Sequence, residues 1–188
     1  MTTIDPPVPP PFTGKDFAAR MRRVVESAVE KGLAGVIVTP GPDLVWLTGY
    51  QPTAITERLT MLVLSPDDEP TLLLPVLERP DAEAAEGAGS VSLVDWEDGT
   101  DPYEVAGPLL RPDGEFGISD SAWAMHVLGL QRALPKSSYR AITESLPRSP
   151  LHRCWRAQSA RKRRQTAPGR AGRPASARRH RPASQTSR

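Results

Sequence analysis

Apolar residues recur at spacings of three and four near the start of the chain. Such a stripe is typical of an amphipathic helix that buries one face. Thr13 can serve as the N-cap with Asp16 in the capping-box position, and Gly32 follows as a terminator. The pattern therefore predicts a helix between Thr13 and Gly32, and the residues of its stripe are Phe17, Met21, Val24, Val25 and Ala28.

Short apolar runs bounded by glycine, proline or acidic residues predict strands. The first run, Gly35-Val36-Ile37-Val38-Thr39, is rich in β-branched residues, as expected of a strand buried on both faces. The acidic, proline-containing spacer at 65–70 predicts a hairpin loop between two further strands. The predicted strands span residues 35–39, 59–64, 71–74, 91–94 and 114–119.

Helical patterns separate these strands. Asp43 is the predicted N-cap of a short helix over 44–48 that Gly49 ends. Asp120 or Ser121 is the predicted N-cap of the last helix, whose apolar stripe includes Trp123 and ends before Pro135. Two more helices are predicted over 80–86 and 101–110. The alternation predicts an α/β fold with a mixed sheet of five or six strands, flanked by helices and containing one antiparallel hairpin.

The ends of the chain differ in composition from its middle. Five of the 21 prolines fall within the first eleven residues, which indicates an extended, disordered leader over 1–12. Residues 1–148 hold 12 Lys+Arg and 22 Asp+Glu, whereas residues 149–188 hold 12 Lys+Arg and no acid. The tail over 147–188 has too few apolar residues to offset the entropy of ordering, so we expect disorder there.

Composition also excludes several classes of protein. Cys154 is the single cysteine, which leaves no intrachain disulfide and no cysteine cluster for zinc. The N-terminus resembles no secretory signal, and no apolar run is long enough to span a bilayer. We therefore expect a cytoplasmic protein that makes no membrane contact.

One segment resembles a known family. Residues Asp43-Leu44-Val45-Trp46-Leu47-Thr48-Gly49-Tyr50 resemble the N-I-x-Y-L-T-G-F/Y pattern of the N-terminal domains of creatinase, prolidase and Xaa-Pro aminopeptidase. Glu69-Pro70-Thr71-Leu72-Leu73-Leu74-Pro75 and Gly117-Ile118-Ser119-Asp120-Ser121 resemble later motifs in the same order. The resemblance implies a creatinase-type N-terminal domain over residues 13–146.

The resemblance also implies where the family's chemistry resides. Family enzymes hold two divalent metals, such as manganese, cobalt or zinc, in a C-terminal catalytic domain with two Asp, one His and two Glu ligands. In this sequence no Asp or Glu follows Glu144, so the tail cannot supply such ligands. We therefore expect no cofactor in this chain, no peptidase activity from it, and a non-catalytic role in dimerisation and substrate access.

The basic tail allows two interpretations. Its switch to Arg, Ala, Pro, Gly and Ser is what a GC-rich gene yields when read out of frame, so one hypothesis is a frameshift product. A linker helix encoded in another frame after about codon 146 would support it. The alternative function is a small α/β module whose cationic arm binds nucleic acid or acidic partners by counterion release. The arm lacks the interleaved aromatics of single-strand binders.

Two residues are candidates for contact with substrate. The resemblance implies that Arg58, at the start of a predicted strand, contacts the substrate carboxylate in the neighbouring subunit of a homodimer. Alternatively, Arg58 is a solvent-exposed arginine beside Glu57 that has only a structural role. Tyr50 can present its ring and hydroxyl to the same cleft, or can be a half-buried loop tyrosine. Trp46, on the short helix, is predicted to pack.

Other groups of residues have the types found in catalytic or metal sites, but their spacing favours structural roles. Asp95, Glu97, Asp98 and Asp101 do not have the spacing of an EF-hand and are predicted to form a solvated turn with a helix cap. Ser119, Asp120, Ser121 and His126 have the residue types of a hydrolytic triad, but they lack a nucleophile elbow and suit capping better. The three histidines are scattered, and no metal site is predicted from them.

Overall fold

The computed structural model describes residues 12–53, 55 and 57–145. The predicted leader, except for Phe12, and the whole predicted tail, residues 147–188, lie outside this range. The strands are β1 (Gly35–Val38), β2 (Met61–Leu64), β3 (Thr71–Pro75), β4 (Ser92–Trp96), β5 (Glu115–Ile118) and β6 (Ser138–Ala141). The α-helices are α1 (Gly14–Glu30), α2 (Pro42–Thr48), α3 (Arg79–Glu83), α4 (Pro102–Ala106), α5 (Ala124–Ala133) and α6 (Ile142–Ser145). Short 3-10 turns occupy Val76–Glu78, Ala88–Ser90 and Gly107–Leu109.

The six strands form one mixed sheet in the order β4-β3-β2-β1-β5-β6. Strand β2 runs antiparallel to both neighbours, with Leu64 paired to Val36 of β1 and Leu62 paired to Leu72 of β3. The β1–β5, β3–β4 and β5–β6 pairs are parallel. The predicted mixed sheet with one hairpin is therefore confirmed.

Two apolar layers cover the sheet, one on each face. Along β2, Leu62 and Leu64 pack in the layer built with α1 and α2, whereas Met61 and Val63 pack in the layer that includes α4 and α5. Successive side chains of a strand point to opposite faces, so a strand covered on both sides is apolar at every position. That arrangement explains the unbroken apolar run of β2.

Helix α1 forms where its stripe predicts it. Phe17, Met21 and Val24 are buried in the core, and Thr13 and Asp16 form the predicted capping box. Gly49 takes a left-handed φ of 74° and ends α2, also as predicted. Such a backbone conformation favours glycine because it has no Cβ.

Several of the predicted helix starts and lengths are wrong, including that of the helix predicted over 101–110, which ends at Ala106. Gly41, not Asp43, is the N-cap of α2, and Asp43 lies inside its first turn. Helix α5 begins after Trp123 rather than after Asp120 or Ser121, because Asp120 instead accepts hydrogen bonds from Thr143. The helix predicted over 80–86 is shorter, because α3 begins at Arg79 but already ends at Glu83.

Strand β6 was not among the predicted strands. Its residues, Ser138 to Ala141, contain one large apolar side chain, Tyr139, which stacks on Phe116 of β5 with ring centroids 6.2 Å apart. The strand depends on parallel pairing with β5 rather than on a local apolar pattern. No helix in the described part of the chain is long and apolar enough to cross a membrane.

Candidate functional site

The strand directions bring several polar side chains to one edge of the sheet. The carboxyl ends of β1, β3, β4, β5 and β6 lie at this edge, together with the amino end of β2. Carboxyl ends of parallel strands are where α/β sheets commonly place ligand sites. The predicted candidates Arg58 and Tyr50 both belong to the segment that enters β2 from this edge.

Tyr50 is buried, with 2% of its surface exposed, and its ring packs in the layer of α1 and α2. Its hydroxyl donates a hydrogen bond to Glu78 Oε2, and Thr53 Oγ1 lies 3.4 Å from Glu78 Oε1. Burial and the neighbouring Glu78 carboxylate raise the pKa of the Tyr50 hydroxyl. Tyr50 therefore stays protonated and holds the buried Glu78 carboxylate, so its ring faces the core rather than open solvent.

Arg58 lies just before β2 with 31% of its side chain exposed. Its Nη2 donates to Asp98 Oδ2 at 3.0 Å, and Asp98 follows β4 at the same edge. A guanidinium carries five N–H donors, so one contact with Asp98 leaves capacity for a second anion. Sequence reasoning placed Glu57 beside Arg58 and missed Asp98, which only the sheet order brings near.

Asp43 is a member of the site that sequence reasoning assigned only to capping. Its Oδ1 is buried and has no hydrogen-bond partner among the described residues. Burial, with a smaller contribution from the nearby Asp120 carboxylate, raises the pKa of Asp43 to about 6. Because β1 and β5 are parallel neighbours, the loops that follow them bring these two acids together.

The residues that have the types of a hydrolytic triad do not form one in the structure. Ser119 Oγ accepts a hydrogen bond from the Thr39 N–H at 3.0 Å, and Asp120 accepts from Thr143. His126 is buried, with its Nδ1 2.9 Å from the Tyr103 hydroxyl, and burial lowers its pKa. Each of the three serves a separate structural contact.

Three of the four acidic residues that invited a calcium interpretation are paired with arginines. Asp95 contacts Arg79 at 2.7 Å, and Asp98 contacts Arg58. Asp101 Oδ2 contacts Arg132 at 2.8 Å, while its Oδ1 caps α4 through the Tyr103 N–H. In the part of the chain that the structure describes, no group of three or more His, Cys, Asp or Glu side chains could share a metal ion. These residues therefore do not fit a two-metal cage.

The chain matches one known domain family, the creatinase/prolidase N-terminal domain. The model of that domain family matches residues 20–149, and the chain belongs to the family. The probable dipeptidase PepE of Mycobacterium tuberculosis is 34% identical over 125 residues, which are 65% of this chain and 33% of the relative. The chain thus spans about a third of the length of the curated relatives it matches.

Solved structures show the same relationship. The crystal structure of dipeptidase PepE from Mycobacterium ulcerans aligns with a TM-score of 0.67 and 32% identity, over 75% of this chain and 38% of that one. The N-terminal domain of an X-Pro dipeptidase from Streptococcus pyogenes aligns with a TM-score of 0.59 and 22% identity, over 68% of this chain and 95% of that domain. At 22% identity, the match to the Streptococcus pyogenes domain shows only that the fold is shared.

Proposed function

We propose that this domain forms a homodimer and narrows access to a peptidase active site, with Arg58 contacting the carboxylate of the substrate in the neighbouring subunit. The domain itself performs no hydrolysis in this proposal, and the catalytic metals would be held by another domain. The observation that carries the proposal is the placement of Arg58 at the sheet edge, partly exposed and oriented by Asp98.

The chemistry of Arg58 supports this role. A guanidinium fork matches a carboxylate in geometry and stays charged at all relevant pH values. Asp98 is 63% exposed, so its pairing with Arg58 is screened by water and adds little stability. A pair of this kind positions an arginine at small energetic cost, and a substrate carboxylate can share the remaining N–H donors.

A domain exchange tests the role of Arg58. Residues 12–145 replace the matching segment of the M. tuberculosis relative, and hydrolysis of a dipeptide with C-terminal proline is measured with manganese present. Because a hydrogen bond to a charged group contributes about 1.5–3 kcal/mol, we expect Arg58→Ala to raise KM about 10- to 100-fold with a smaller effect on kcat. Arg58→Lys should recover only part of the loss, since lysine lacks the fork.

The matched control is Arg140→Ala, which removes another ion-paired arginine, bonded to Glu115 on β5. A mixed-subunit experiment then tests the dimer. An Arg58→Ala chimaera is combined with a chimaera that keeps Arg58 but lacks the metal-binding carboxylates of the catalytic domain. Recovery of the low KM supports action across subunits. An unchanged KM in Arg58→Ala, or one that mixing does not restore, contradicts the proposal.

A further inference from the structure

An apolar groove of about 840 Å³ opens between the start of α1, helix α2 and the segment that follows α2. Its wall includes Phe12, Phe17, Arg20, Trp46, Pro52 and Ile55. Two of these side chains remain largely exposed, Phe12 at 58% and Ile55 at 53%. Exposed apolar side chains gathered in a concave surface mark a binding site more often than scattered ones do.

The aromatic wall is organised around one buried cation. Arg20 is 6% exposed, and its Nη1 donates to the Trp46 carbonyl at 2.7 Å. Its guanidinium carbon lies 4.0 Å from the ring centroid of Phe12, 5.1 Å from that of Phe17 and 5.0 Å from that of Trp46. These cation–π contacts hold the three rings in place before any ligand binds.

A rigid aromatic groove suits one kind of ligand, an extended proline-rich segment. Proline rings pack on aromatic faces, and the backbone carbonyls of a polyproline II helix have no internal hydrogen bonds and can accept from the groove. Trp46 supplies an indole N–H that donates to no residue in the described part of the chain, and Gln51 adds an exposed amide to the wall. The groove therefore offers both packing surface and donors.

The sequence supplies such a segment next to the groove. Residues 1–11 contain five prolines, and Pro11 is bonded to Phe12, which is itself part of the wall. At about 3.1 Å per residue, a polyproline II segment of six residues, the length of 6–11, would extend roughly 19 Å. A ligand tethered this closely has an effective concentration on the order of millimolar, so even weak affinity gives high occupancy. We propose that the proline-rich leader, residues 1–11, binds in this groove of its own chain.

The test uses the chain without residues 1–11 and a synthetic peptide of that sequence. Peptide is titrated while the indole N–H signal of Trp46, assigned with Trp46→Phe, is followed by NMR. We expect a saturable shift of this signal, and at least about tenfold weaker peptide binding by the full chain, where the leader already occupies the groove. Trp46→Ala should abolish binding, which is measured by calorimetry because this variant lacks the indole signal. Trp123→Ala is the matched control, because Trp123 is 51% exposed and lies outside the groove wall.

Equal peptide affinity of the full and shortened chains would overturn the proposal, as would binding that survives Trp46→Ala. A full-length dimer that dissociates when the leader is removed would assign the leader to a second copy and overturn the intramolecular contact. If the shortened chain does not fold, the full chain with Pro9→Gly and Pro10→Gly replaces it. The Trp46 signal should then move, and an unmoved signal would count against the proposal. No part of this inference depends on the peptidase role.

Discussion

Replacing Gly87 with alanine should lower the free energy of unfolding by about 3 kcal/mol, the upper part of the range for an overpacked core position. A Cβ at this position would lie 2.4 Å from the Thr48 carbonyl oxygen and 3.0 Å from Phe17 Cγ. The Gly87 N–H also donates to the Thr48 carbonyl at 3.0 Å. The clash is with backbone, so relief requires that the end of α2 and the segment at Gly87 move apart.

Gly89→Ala is the control for this substitution. Nothing lies within 4 Å of a Cβ built at Gly89, and its φ is not in the left-handed region. Alanine there should change stability by less than about 1 kcal/mol, with a gain expected from the reduced entropy of the unfolded chain. Urea unfolding of the two variants gives the comparison. Equal stability of the Gly87 and Gly89 variants would show that α2 has room to shift.

Replacing Asp43 with asparagine should stabilise the protein at neutral pH, by about 1–3 kcal/mol. Burial raises the pKa of Asp43 to about 6, above its ordinary value of 3.8, so ionising this carboxyl in the folded state is unfavourable. The penalty is absent below pH 4, grows between pH 4 and pH 6, and is complete above pH 6. Asparagine has nearly the same shape and no charge, so the gain should follow that same pH dependence.

Urea unfolding at pH 4 and pH 7.5 measures the effect. The Asp43→Asn variant should match the parent at the lower pH and exceed it at the higher one. Asp68→Asn, at an exposed position of the hairpin loop between β2 and β3, is the control and should change little at either pH. Destabilisation by Asp43→Asn at both values would mean that the carboxylate makes favourable contacts in the fold.

Features with local signals could be predicted from the sequence. The stripe and capping box of α1, the left-handed glycine after α2 and the hairpin loop before β3 each depend on residues close together in the chain. The order of the strands in the sheet and the two-layer core could be predicted less directly from the sequence. Strand β6 was not predicted, because Tyr139 stacks on Phe116 only after β5 and β6 pair.

The site was harder to predict than the fold. The family resemblance indicated Arg58 and Tyr50 as candidates for substrate contact. Their hydrogen-bond partners, Asp98 and Glu78, follow the ends of other strands. Sequence reasoning placed Glu78 in no site, and it gave Asp43 a capping role that Gly41 fills. Such pairs form because the order of the strands in the sheet determines which loops lie at the same edge. The role of Gly87 likewise depends on contact between segments distant in sequence.

We propose that this member of the creatinase/prolidase N-terminal domain family acts as a non-catalytic domain. The most direct test of this proposal is hydrolysis of an Xaa-Pro dipeptide by the purified 188-residue chain with added manganese. We expect a rate equal to that of manganese and buffer alone. Turnover that increases in proportion to the concentration of the chain, and that a metal chelator abolishes, would contradict it.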